Sequence, residues 1–181
     1  ADDEAVEPEE LQKYINQYLP EDIAVTGVVA AGERFHSRLN ATGKTYEYHL
    51  IPYGTYDVFA RKYAWQMTEP LDIEAMREAA GHVLGSHDFR SFCTKAAKKK
   101  STIRTIRLLE IYETKNEIVI EITGNGFLYN MVRILVGTLV EVGMGLRKAD
   151  DIPTILEKKE RRYAGETAPA CGLFLKQIYY E

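Results

Sequence analysis

Arg133 has the clearest potential for chemistry in this sequence. It carries the only charge between Ile122 and Glu141, within the apolar run FLYNMVRILVGTLVEVG. A charge buried without a partner is costly, so a desolvated guanidinium here requires a carboxylate or a phosphate beside it. Positioning of a catalytic carboxylate is one interpretation of Arg133. The other is structural: the side chain reaches solvent at the helix edge, or pairs with a noncatalytic Asp or Glu.

Tyr46 is the second candidate. In the segment KTYEYHLI, Tyr46, Tyr48 and Leu50 alternate with polar residues, as in a strand with aromatic side chains on one face. A tyrosine in such a strand commonly belongs to the core. Together with Tyr48 and Phe35, Tyr46 could equally form a surface on which an unpaired base stacks. The pattern alone leaves both interpretations open.

Other reactive residue types lack the spacing of a site. The four histidines are scattered, with no pair at metal-ligand spacing next to Cys or Asp, so we expect no metal. Cys93 and Cys171 lie far apart without a CxxC pattern, which argues against a zinc site or a disulfide. The GNG turn at 124–126 lacks the GxGxxG spacing of a phosphate loop and is interpreted as a turn between a strand and a helix.

Charge is unevenly distributed along the chain. The whole sequence has a formal net charge of -4, yet residues 1–22 hold eight acids and one base, and the remainder holds 19 acids and 22 bases. Residues 89–109 contain seven bases and no acid. Such a run is commonly a solvated loop, and the sharper alternative is a surface for nucleic acid. No apolar run approaches the roughly 18 residues of a membrane span, and a cytoplasmic location is the simplest expectation.

The periodicity predicts an α+β domain with a mostly antiparallel sheet backed by helices. We predict an acidic leader over residues 1–22 and one α+β domain over residues 23–181. Within that domain Asp72 is the expected cap of the first helix, and Gly85 its expected end. The predicted elements, in order, are a strand at 23–31 buried on both faces, a strand at 44–51, a helix from 70 to 85, a hairpin at 101–123, helices at 127–143 and 149–160, and a strand at 171–180.

Six segments occur in a characteristic order: LPEDIAV, FHSRLNATGKTYEYHL, HDFRSF, TIRTI, GNGFLYNMVRILVGTL and CGLFL. Together they resemble the tRNA pseudouridine synthase A (TruA-like) family over about residues 19–179. The resemblance implies an isomerase that converts uridines on the 3′ side of the tRNA anticodon stem-loop to pseudouridine. It also implies the C-terminal half of a pseudouridine synthase catalytic fold, no cofactor, tRNA as partner and a homodimer.

The resemblance also assigns residues. Tyr46 matches the tyrosine that stacks on the target base and takes part in proton removal. Arg133 matches the arginine that forms a salt bridge with the catalytic aspartate. The RNA-facing surface would then contain His36, Arg38, Lys44, Arg90, Lys95, Lys98, Lys99, Lys100 and Arg104.

The nucleophile of the family is an aspartate in a GRTDxGVH motif upstream of the LPEDIAV segment. No such motif occurs in these 181 residues. We therefore expect the chain to be the C-terminal portion of the enzyme, lacking its N-terminal half, and to bind RNA but to be inactive alone. The alternative is a noncatalytic RNA-binding domain. A third class is a protein-interaction domain whose lysine run only contacts solvent.

Overall fold

The computed structural model describes residues 6–94 and 101–180. The chain divides into two compact units, Ala1–Asn40 and Ala41–Glu181. This division falls later than the end of the predicted acidic leader at residue 22, and the leader itself stays a prediction. In the described part no helix is long and apolar enough to cross a membrane.

The first unit contains helix α1 (Pro8–Asn16) and an irregular segment after it. The prediction of a buried strand at 23–31 is wrong, because these residues form no regular element and Val29 is 86% exposed. Val25 bonds through its backbone N–H and C=O to the amide side chain of Asn16, at 2.8 and 2.9 Å. No strand in residues 6–40 pairs with the segment, and β-branched residues without a neighbouring strand do not form a sheet.

The second unit is built on one six-stranded sheet. Its strands are β1 (Gly43–Ile51), β2 (Trp65–Gln66), β3 (Gly85–Asp88), β4 (Ile103–Glu113), β5 (Ile118–Gly124) and β6 (Leu173–Tyr179). The order is β2-β1-β5-β4-β3, and β6 pairs with β1 beside β2. Every pairing is antiparallel except β1 with β2. This confirms the predicted α+β class, with a mostly antiparallel sheet.

Three helices accompany the sheet: α2 (Ile73–Gly81), α3 (Met131–Gly143) and α4 (Asp151–Lys158). Asp72 caps α2 as predicted, because its Oδ1 accepts a hydrogen bond from the backbone N–H of Ala75 at 3.0 Å. The helix ends at Gly81, four residues before the predicted stop. Gly85 instead begins β3 with a φ of 95°, a conformation that favours glycine.

Helix α3 forms the centre of the core. Eleven of its thirteen residues are buried, and the two that are not are Arg133 and Glu141. The helix begins four residues later than predicted because Asn130 adopts a φ of 61°, outside the helical region. Residues 125–130 therefore connect the end of β5 to the helix.

Candidate active site

Tyr46 lies on the central strand of the sheet. Strand β1 pairs with β5 on one side and with β6 on the other, and Tyr46 stands opposite Ile122 of β5. The Tyr46 ring is half-buried and meets the ring of Phe127 edge-on, with centroids 5.2 Å apart and planes at 89°. Its hydroxyl makes no hydrogen bond to any residue that the structure describes. Burial raises the pKa of Tyr46, so the phenol is neutral at physiological pH.

Tyr48 is part of the core and not of a stacking surface. Its side chain is fully buried, and its hydroxyl donates a 2.7 Å hydrogen bond to the carbonyl of Pro169. Burial strongly raises its pKa. The alternative in which Tyr48 joins Tyr46 in a stacking surface does not fit the structure, because a ring without exposed surface has no face for a base. Phe35 belongs to the first unit.

Arg133 stands at the start of α3 and is held by neutral acceptors. Its Nε donates to the carbonyl of Ala168 at 2.7 Å, and its Nη1 to the Oδ1 of Asn130 at 3.4 Å. Among residues 6–94 and 101–180, no carboxylate forms an ion pair with it. The structural alternative in which Arg133 is paired with an internal Asp or Glu does not apply to these residues. The guanidinium keeps its charge available for an anion.

Tyr46 and Arg133 line the same small cleft. Its volume is about 110 Å³, and its walls are Tyr46, Phe127, Leu128, Asn130, Met131, Val132, Arg133 and Leu173. The cleft combines an aromatic pair, aliphatic walls and one cation. This arrangement can hold a planar ring against Tyr46 and an anion against Arg133.

Phe127 and Asn130 were missed by the sequence analysis. The signal for Phe127 was an aromatic residue directly after the GNG turn, where the chain leaves β5 at Gly124. Asn130 tolerates the left-handed conformation better than most residues, which suits it to begin the helix. Its amide bonds in two directions, to Arg133 through Oδ1 and to the hydroxyl of Thr94 through Nδ2.

Two of the predicted RNA-facing residues lie near the strands of the cleft. Lys44 precedes Tyr46 by two residues on β1, so the two side chains project from the same face of the sheet. Arg104 of β4 packs beside Gly126, and its Nη1 donates to the carbonyls of Ser101 and Ile103 at 3.0 and 2.6 Å. Both side chains are half-buried.

The structure describes three of the other predicted RNA-facing residues, Arg90, His36 and Arg38. Arg90 is exposed on a short 3-10 helix, Phe89–Phe92, and its backbone N–H donates to Asp88 Oδ1 at 3.2 Å. His36 and Arg38 are exposed in the first unit, where His36 Nδ1 accepts from the backbone N–H of Arg38 at 3.1 Å. The remaining four residues lie outside the described part of the chain: Lys95, Lys98, Lys99 and Lys100.

The described residues contain no group of three His, Cys, Asp or Glu side chains that could hold a metal ion. Cys93 is buried and Cys171 is exposed, and neither is in a disulfide. The chemical groups that converge on the cleft are therefore a phenol, a guanidinium and aromatic and aliphatic side chains.

Comparison with known proteins identifies the family. The family model described as tRNA pseudouridine synthase matches residues 79–181, which include Arg133. The chain is 46% identical over 166 residues to tRNA pseudouridine synthase A 1 of Bacillus cereus, covering 92% of this chain and 67% of that protein. It is 43% identical over 178 residues to tRNA pseudouridine synthase A 2 of Bacillus anthracis, covering 98% of this chain and 73% of that protein. The chain belongs to the tRNA pseudouridine synthase family, whose members are isomerases.

Proposed function

We propose that this chain supplies Tyr46 and Arg133 to a site that isomerises uridine in tRNA, and that the nucleophilic aspartate comes from a GRTD segment outside these 181 residues. One observation carries the proposal. Tyr46 and Arg133 line one cleft, and the Arg133 guanidinium contacts only neutral acceptors among the described residues. A cation in this setting is suited to receive a carboxylate from another segment.

Arg133 has a defined electrostatic task in this proposal. An adjacent guanidinium lowers the pKa of a carboxyl group and keeps it ionised as a nucleophile. It also orients the carboxylate, because its N–H donors have a fixed planar geometry. The Nε is already held by Ala168 and Nη1 donates to Asn130, which leaves Nη2 and the second N–H of Nη1 for the incoming carboxylate.

Tyr46 acts in this proposal through its ring. The half-buried ring is held edge-on by Phe127, and its remaining face is suited to stack on the target uracil. Because burial raises the pKa of Tyr46, its neutral hydroxyl is a weak proton acceptor at physiological pH. Stacking is therefore the better supported of the two roles that the resemblance assigns to this residue.

The proposed substrate is the 3′ side of the anticodon stem-loop, bound by a homodimer of the intact enzyme in the cytoplasm. Lys44 and Arg104 support RNA binding near the cleft, because both are basic, Lys44 shares β1 with Tyr46, and Arg104 packs beside Gly126, the residue before Phe127. Phosphate contacts by lysine and arginine give an affinity that falls as salt rises. The chain alone is expected to bind tRNA without converting it.

The decisive experiment incubates the 181-residue chain with unmodified tRNA and assays pseudouridine. No product is expected from the chain alone, whereas the chain joined to a GRTD-bearing segment should convert uridine, and Arg133→Gln should abolish that conversion. Turnover by the isolated chain would overturn the proposal that the nucleophile lies elsewhere. Binding without conversion, even in the joined protein, would instead favour the noncatalytic RNA-binding domain.

Binding is tested separately by titrating labelled tRNA at several salt concentrations. Lys44→Gln and Arg104→Gln should each reduce the salt slope by about 1, the loss expected for one phosphate contact. Lys115→Gln is the matched control, because Lys115 lies in the β4–β5 turn, at the opposite end of β5 from Gly124. An unchanged slope in both test variants, or an equal loss in the control, would refute this placement of RNA.

A further inference from the structure

A short segment lies along one stripe of α3. We define residues 165–169 as the strap. The stripe consists of Arg133, Gly137 and Glu141, which are spaced four residues apart and therefore share one face of the helix. Arg133 and Glu141 are the two residues of α3 that escape burial, and Gly137 lies between them.

Two hydrogen bonds, which we call latches, hold the start of the strap against α3. The backbone N–H of Gly165 donates to the hydroxyl of Thr138 at 2.9 Å, and that hydroxyl donates to the carbonyl of Ile134 at 2.7 Å. The backbone N–H of Glu166 donates to Glu141 Oε1 at 2.8 Å. Thr138 is fully buried, so its hydroxyl satisfies a backbone group that water does not reach.

Gly137 permits the close contact between the strap and the helix. A Cβ at position 137 would lie 2.0 Å from the carbonyl oxygen of Glu166 and 3.4 Å from the backbone nitrogen of Ala168. Any larger residue must therefore push the strap backbone away from α3. The absence of a side chain at Gly137 is a condition for the position of the strap.

The end of the strap bonds to Arg133, which lines the cleft, and to Tyr48 in the core. The backbone N–H of Ala168 donates to the carbonyl of Arg133 at 3.1 Å, and Arg133 Nε donates back to the carbonyl of Ala168 at 2.7 Å. The next carbonyl, that of Pro169, accepts the hydroxyl of Tyr48 at 2.7 Å. Among the described residues, Ala168 is the partner that fixes the orientation of the guanidinium at its Nε.

We propose that Thr138 and Gly137 are positioning residues that act through the strap to aim the Arg133 guanidinium into the cleft. The inference rests on the proposed function of Arg133 as the partner of a carboxylate. A long side chain in a half-open cleft samples several rotamers, and each is a competitor to the orientation that receives the anion. The strap limits this freedom by holding Nε, while Nη2 makes no hydrogen bond among the described residues.

The test measures hydrogen exchange of the Arg133 Nε–H by NMR, with the signal assigned by its disappearance in Arg133→Lys. Thr138→Val removes the hydroxyl latch at nearly constant volume and should accelerate this exchange about fivefold to tenfold, the range for loss of one hydrogen bond. Thr138→Ser keeps the hydroxyl, so its Arg133 Nε–H exchange rate should stay within about twofold of the rate in the original chain.

Ser91→Ala is the matched control. Ser91 is fully buried like Thr138, and its hydroxyl donates to the carbonyl of Ile155 in α4 at 2.6 Å and not to the strap. It should lower stability without changing exchange at Arg133. If Thr138→Val does not fold, Glu141→Met removes the second latch at a half-buried position and should accelerate exchange in the same direction. Unchanged exchange in the folded latch variant, or equal acceleration in Ser91→Ala, would overturn the proposal.

Titration with acetate separates this inference from the proposed function. Acetate should shift the Arg133 Nε–H signal in the original chain and in Thr138→Ser, and about fivefold or more acetate should be needed in Thr138→Val. If Thr138→Val accelerates exchange but acetate shifts the Arg133 signal in no variant, the proposed role of Arg133 as a carboxylate partner is wrong, whereas its positioning by the strap is supported. If acetate shifts the Arg133 signal with the same midpoint concentration in Thr138→Val and in the original chain, positioning by the strap is wrong, whereas the proposed function is supported.

Discussion

Replacement of Gly137 by alanine is the sharpest structural perturbation that this fold offers. Gly137 is the seventh of the thirteen residues of α3, and a new Cβ would lie 2.0 Å from the carbonyl oxygen of Glu166 and 2.9 Å from its carbonyl carbon. These are backbone atoms and cannot turn aside as the end of a flexible side chain would. Either the strap moves away from α3 or the helix bends.

Opposing contributions determine the size of the effect. In an exposed helix interior, Gly→Ala stabilises by about 1 kcal/mol because alanine has the higher helix propensity. Overpacking in a filled interior costs about 1–3 kcal/mol. Displacement of the strap also weakens four hydrogen bonds to α3, each worth about 0.5–1.5 kcal/mol when fully lost. We expect Gly137→Ala to lower the free energy of unfolding by about 2–4 kcal/mol.

The assay is urea unfolding followed by far-UV circular dichroism and by fluorescence of Trp65, the single tryptophan. Gly81→Ala is the matched control because Gly81 is the last residue of α2 and a Cβ there meets no atom within 4 Å. The control should be unchanged or stabilised by up to about 1 kcal/mol. If Gly137→Ala is also stabilised, the strap does not lie against α3 and the reasoning fails.

Two further predictions concern pH. Burial raises the pKa of Tyr46 above 10.0. The difference between the ultraviolet pH titrations of the original chain and of Tyr46→Phe should therefore show the Tyr46 ionisation only above that pH. An ionisation with a midpoint below it would contradict the burial of this side chain. Lys176 lowers the pKa of Glu47 below 4.5, chiefly through a hydrogen bond. The ionised Glu47 carboxylate therefore stabilises the fold above pH 4.5, and this contribution is lost as the pH falls through the pKa of Glu47 in the folded protein. The free energy of unfolding of Lys176→Met should therefore approach that of the original chain below pH 4.5, and a difference that is constant with pH would count against the pair.

Much of the fold could be predicted because its signals are local. The hairpin of β4 and β5 follows from two β-branched runs around a polar turn, and α3 follows from apolar residues at helical spacing. The cap of α2 follows from Asp72 immediately before an amphipathic run. The antiparallel class follows from the order of these elements, because βαβ alternation is missing.

The expectations for the segment at 23–31 and for Tyr48 failed for the same reason. The segment at 23–31 has strand propensity, but a strand requires a neighbouring strand, and propensity does not say whether one is present. Tyr46 and Tyr48 have the same side-chain type and lie on the same face of β1, yet one lines the cleft and the other is fully buried beneath Pro169. The alternation pattern assigns a face and not the depth of a side chain on that face.

The amino-acid sequence by itself determined the α+β class, the family and the two candidate residues of the cleft. Each of these depends on residue types at short spacing or on the order of segments along the chain. The tertiary structure decided that Tyr46 and Arg133 line the same cleft, although 87 positions separate them, and that Ala168 holds the guanidinium. The physical reason is that a carbonyl oxygen carries no signature in the sequence, and only the close approach allowed by Gly137 brings this one to Arg133.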